Sequence, residues 1–145
     1  MAKFSFPLQR VLDVRKHLEN QKAQELSIVR NKMHYEQQQL NEMKEKKLGQ
    51  MVTREKGTVN MSEVFSRMAY VGQINKQISE QQKKMNSTQR EIEKKRAVLN
   101  EAVKERKAVE ILKEKHRLEF KKQENREYAK RENEVALRMK TYKQD

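Results

Sequence analysis

The apolar residues of this chain recur in steps of three and four, and that spacing restricts the fold more than any other feature. Leu26, Val29, Met33, Leu40 and Met43 form one series, with Glu36 at the position the spacing assigns between Met33 and Leu40. This is a heptad seam. Upstream, Leu8, Val11, Leu12, Val14 and Leu18 make a wider stripe. A second series runs Ile74, Ile78, Met85, Ile92 and Leu99, with Gln81, Thr88, Lys95 and Ala102 at the intervening seam positions. A third contains Val109, Leu112, Phe120, Tyr128, Val135, Met139 and Tyr142, with breaks in the spacing. A seam on a lone helix stays in water, so such a pattern asks for a partner helix.

Composition narrows the alternatives. The 145 residues include three Gly, one Pro and no Cys. Charged residues are 38% and hydrophobic ones 34%, against roughly 25% and 45–50% in an average domain. Few breakers and few apolar residues argue against β and α/β folds and leave long helices or a disordered polyelectrolyte. Helix formers dominate, and Glu precedes a base by four residues at Glu42/Lys46, Glu80/Lys84, Glu91/Lys95, Glu127/Arg131 and Glu134/Arg138. Such pairs support a helix by about 0.2–0.5 kcal/mol each. The expectation is an all-α, long antiparallel two-helix coiled coil in a single domain, 1–145.

The break between the helices lies at residues 56–62. Gly57 suits a helix C-terminus, and Asn60 with Glu63 reads as a capping box. Gly72 sits inside the pattern and reads as tolerated within the helix. Pro7 fits the first turn of the first helix. Helix one is therefore expected over about 6–55, the turn over about 56–61 and helix two over about 61–142. Folding about residue 58 sets Leu8 near position 108 and leaves an overhang of about 112–145. That overhang carries apolar residues at seam-like spacing, which implies a second surface to dock against.

Residues for chemistry are missing from the pattern. His17, His34 and His116 lack a second His three or four residues on, and no glycine-rich phosphate loop occurs. Without Cys there is no thiolate catalysis, disulfide or Cys-ligated zinc. We expect no enzyme activity, no cofactor, no metal site and no small-molecule substrate. No apolar run is long enough to span a bilayer, and the N-terminus has no signal-peptide core. The net charge of +13 points to acidic partners. Basic tracts such as Lys94, Lys95 and Arg96 lack the interleaved aromatics of single-strand binders, so nucleic acid is the weaker alternative. A generic scaffold coiled coil is the other. Residues 61–74 hold Met61, Val64, Phe65, Met68, Val71 and Ile74, more apolar residues than one seam needs, and so suggest a partner site.

The opening Phe4, Phe6, Leu8, Val11, Leu12 and Arg15 follows an F-x-F-x-L-x-x-V-L-x-x-R pattern. It resembles the opening of the flagellar export protein FliJ family. The segment from Tyr70 through Ile74 to Ile78, the length and the basic helical composition are also FliJ-like. The resemblance implies a two-helix coiled coil similar to the central stalk of rotary ATPases. It implies binding to the hexameric flagellar export ATPase and to the export gate membrane protein, with export chaperones as further partners. It further implies a cytoplasmic location, peripheral at the inner membrane. The family's gate contact transfers to Tyr70, Ile74, Gln77 and Gln81, the two Gln departing from its more apolar character. The end of the protein bearing Phe4, Phe6, Leu8, Leu12 and Arg15, with Tyr128, Val135 and Met139, is expected to meet the ATPase. Residues 113–145 carry eleven Lys/Arg and seven Asp/Glu, a net +4.

Overall fold

The computed structural model describes residues 2–52 and 60–143. Among these the protein is all-α: α1 spans Gln9–Val52 and α2 spans Met61–Tyr142, and the two helices pack against each other. The limits expected for α2 are met. α1 starts later than residue 6, because Pro7 and Leu8 form a turn first: the Gln9 N–H donates to the Phe6 carbonyl at 3.1 Å. Pro7 has no N–H to offer, so it suits this site ahead of the first helical bond, Leu12 N–H to Leu8 C=O at 3.0 Å.

At the start of α2, the Asn60 side-chain oxygen accepts from the Ser62 N–H at 3.1 Å, and its carbonyl accepts from Val64 at 3.1 Å. Asn60 is thus an N-cap. Glu63 lies in the first turn, where the helix dipole favours a negative charge. Gly57, and with it the expected turn up to residue 59, lies outside the described residues.

The chain divides into two compact units, Asn20–Asn100 and Met1–Glu19 with Glu101–Asp145. In the first of these the core is the cluster Leu26, Val29 and Ile92, with Met33 and Leu99 packed against it. Leu40 and Ile74 are buried in the same seam, and so are the polar Glu36, Gln81 and Thr88. Pairing is antiparallel. Glu25 meets Lys95 at 2.9 Å, Lys32 meets Glu91 at 3.7 Å, and Gln81 donates to the Glu36 carbonyl at 3.0 Å. The charges of Glu91 and Lys95 therefore reach across to α1 rather than along α2. Pairing a helix face with an opposite helix brings oppositely charged flanking residues as close as the intrahelical spacing does.

In the other unit, Leu12 is the most enclosed side chain, 1% exposed, with Phe6 also buried. Arg15 pairs with Glu105, Arg106 with Glu19, and Lys113 donates to Gln9 at 2.8 Å. The pairing is again antiparallel. Ahead of α1 the chain is irregular, and it follows α2 further than a helix would. The Phe6 ring meets the His116 ring edge-on at 5.7 Å, and Phe4 meets Phe120 at 5.6 Å. This corrects the position assigned to Leu8. Its neighbours Phe6 and Gln9 face His116 and Lys113, not the region of 108. The unpaired part of α2 consequently begins beyond Phe120 rather than at 112. The physical reason is register: Arg15 with Glu105 and Gln9 with Lys113 pair about residues 60–61 rather than 58. Ahead of α1, non-helical chain, which can reach ~3.3 Å per residue against ~1.5 Å in a helix, carries Phe4 on to Phe120. A short non-helical lead-in therefore covers another turn of α2.

Candidate partner-binding surfaces

In the unit Asn20–Asn100, the start of α2 carries two apolar stripes. Val64, Val71, Ile74 and Ile78 turn toward the seam, and Ile74 is 3% exposed. Met61, Phe65 and Met68 are exposed on one flank of the seam, and Tyr70, turned by about 180° around the helix from them, is exposed on the other. The surplus of apolar residues in 61–74 thus sorts into seam and surface. Of the four residues transferred to the export gate, Tyr70 and Gln77 are on the surface. Ile74 and Gln81 are buried, and the Gln81 amide is bonded to the Glu36 carbonyl. An i, i+4, i+7 reading places all four on one face, but that face straddles the edge of the seam.

In the other unit, Phe6 and Leu12 are core, and Phe4 is half-buried on Phe120. Leu8 is partly exposed, and Arg15 is engaged with Glu105. A shallow depression at this end is lined by Phe4, Pro7, His116 and Phe120 among others. Tyr128, Val135 and Met139 are exposed, as is every described residue from Lys121 onward. The residues expected at the ATPase therefore fall into a packed N-terminal group and an exposed C-terminal group.

Electrostatics at these surfaces is mild. Lys95, and then Lys22, hydrogen-bond the Glu25 carboxylate and hold it below the usual carboxylate range. The hydrogen bonds that Arg106 donates to Glu19 and then to Glu110 push its guanidinium up. Arg117 likewise lowers Glu114 on the next turn. These shifts arise from ion pairs that tie the helices and the helix surface. Among the described residues, no group of three or more His, Cys, Asp or Glu is placed to hold a metal ion. No described helix is long and apolar enough to cross a membrane.

Two long antiparallel helices with a narrow seam, and apolar surface on α2 outside that seam, define a protein of the two-helix coiled-coil class. The family model described as the flagellar FliJ protein matches residues 4–144. The chain belongs to the FliJ family, and its role is related to flagellar export. No curated protein and no solved structure matches the chain.

Proposed function

We propose that the protein is a non-enzymatic stalk and adaptor of the flagellar type III export apparatus, which binds the hexameric export ATPase and the export gate membrane protein and couples ATP hydrolysis to export. The observation that carries this is the family match over nearly the whole chain, and the division of its apolar surface between two regions of α2 agrees with it. Coupling works by differential binding. A protein that contacts particular ATPase conformations more strongly than others shifts their populations by that difference and no more. Export chaperones are further partners, and the place of action is the cytoplasmic face of the inner membrane.

The ATPase contact is assigned to the end bearing Phe4, Phe6, Leu8, Leu12 and Arg15 together with Tyr128, Val135 and Met139. Since Phe6 and Leu12 are buried, they shape this end, while Leu8 and the three C-terminal residues supply surface. The gate contact is assigned to Tyr70 and Gln77, with Ile74 and Gln81 beneath them holding α2 in place. The test is ATP hydrolysis by the ATPase with one equivalent of this protein added. Stimulation is expected, and removal of residues 124–145, which spares Phe120, should abolish it. Full stimulation by the shortened chain rejects the C-terminal docking element. Tyr70→Ala should weaken capture of the gate protein's cytoplasmic part without changing ATPase stimulation.

A further inference from the structure

The seam of α2 in the terminal unit passes through Val109, Lys113, His116 and Phe120. Lys113 and His116 meet Gln9 and Phe6, and Phe120 meets Phe4. Continued in steps of three and four, it lands on Gln123, Glu127, Lys130 and Glu134, which are all polar. Beyond Phe120 four apolar residues keep a heptad spacing of their own, while Leu137, also exposed, lies on the opposite side of the helix. Tyr128, Val135 and Tyr142 are seven apart, and Met139 divides the last interval into four and three. This stripe starts one residue later than the continued seam. Tyr128 and Val135 are thus turned by about 100° from Glu127 and Glu134. All four stripe residues are exposed. A stripe out of phase with the intramolecular seam is not a remnant of it, and it is spaced for another helix.

The borders of the stripe state which helix. Arg131 and Arg138 run along one edge, and Ala129 and Ala136 along the other. The pairs expected at Glu127/Arg131 and Glu134/Arg138 are not closed: neither arginine makes an ion pair among the described residues. Glu132 occupies the stripe position between Tyr128 and Val135. A second copy fits poorly in either orientation. Parallel pairing sets Glu132 against Glu132, and antiparallel pairing sets Arg131 against Arg138. Like charges so placed oppose association. A helix with acidic edges gives both arginines partners, and the alanine edge lets its backbone approach.

We propose that residues 128–142 form a docking site for an acidic amphipathic helix of a partner protein, with one polar residue of that helix opposite Glu132. This deepens the assignment of a partner contact to this segment and is tested apart from it. The probe is a synthetic 28-residue helical peptide with a leucine seam, one seam Asn and glutamates on both edges. A second peptide carries lysines in place of the glutamates. Fluorescence anisotropy with the full chain should show saturable binding of the acidic peptide, at least tenfold tighter than the basic one. Arg131→Glu with Arg138→Glu should reverse that order, and Val135→Asp should abolish binding of the acidic peptide. All three residues are exposed, so helicity should be unchanged by circular dichroism.

A chain with net charge +13 attracts any polyanion. Lys83→Glu with Lys84→Glu therefore serves as a control of equal charge change and should leave the affinity within twofold. An equal loss in this control, equal binding of the two peptides, no binding at all, or a dimer in sedimentation that Val135→Asp dissolves would each overturn the proposal. Loss of ATPase stimulation on removing residues 124–145 while the acidic peptide fails to bind would sink the acidic-helix assignment alone. Binding of the acidic peptide with stimulation intact in the shortened chain would sink the ATPase assignment alone.

Discussion

Replacing the polar layer of the seam with leucine should stabilise this protein. Glu36 and Gln81 face each other at 8% and 4% exposure, where a heptad calls for apolar side chains. One oxygen of the Glu36 carboxyl group is buried without a hydrogen-bond partner, and Gln81 donates to the Glu36 main-chain carbonyl at 3.0 Å. An unpartnered buried polar atom costs about 1–3 kcal/mol. Each buried leucine contributes ~1.5–3 kcal/mol relative to an exposed one, and the compactness of unfolded chains reduces this by roughly 10–40%. The lost Gln81 hydrogen bond and imperfect fit offset part of the gain. Glu36→Leu with Gln81→Leu is therefore expected to add about 2–4 kcal/mol, in the range of about 1–4 found when buried polar groups give way to apolar ones. Gln81→Leu alone should gain little, because it leaves the carboxyl group facing a leucine. Urea unfolding followed by circular dichroism measures both. An unchanged slope with a higher midpoint is the expected result. A double variant less stable than the natural chain would refute the reasoning and show that the layer is net stabilising. The same variant should broaden spin-label distances between α1 and α2, since a uniformly apolar seam no longer distinguishes a one-heptad slip.

Ile92→Asp sets a charge against Leu26 and Val29 and should cost at least ~3 kcal/mol; an unchanged thermal midpoint would mean the seam is misplaced. Gly72→Ala should raise stability by about 0.5–1 kcal/mol, because Gly72 is helical, has no positive φ and has no heavy atom within 4 Å of an added Cβ; a drop in midpoint would contradict this. Glu25 is held below its ordinary range by Lys95 and then Lys22, so its contribution is present above the unfolded value of about 4.3 and is lost as pH falls through the lower folded value. The thermal midpoint should therefore fall more between neutral and acid pH in the natural chain than in Glu25→Gln, and parallel curves would reject the coupling.

The period of burial was legible in the linear chain. Leu26, Val29, Ile92 and their neighbours announced the seam because the heptad repeat depends only on helix geometry, which is local. Asn60 announced the start of α2 for the same reason: its cap bonds reach only Ser62 and Val64. The identity of the family was also legible, in the short pattern from Phe4 to Arg15. The tertiary structure decided which residue meets which across the seam. Leu8 lies opposite the region of Lys113 because the helices pair about residues 60–61, a register that periodicity leaves open. Phe4 reaches Phe120 because the lead-in is not helical, and no periodicity reports the rise of an irregular segment. It also decided which of two apolar stripes is spent on folding. Before the packing is known, Ile74 stands both in the seam series and among the residues the resemblance assigns to a partner, whereas Phe65 stands only in the apolar surplus of 61–74. α1 covers the first and leaves the second in water, because only one face of α2 can be turned to α1 at a time. Beyond Phe120 the same phase separates Tyr128 and Val135 from the seam, since their turn of about 100° around the helix has no meaning until the facing side has been located.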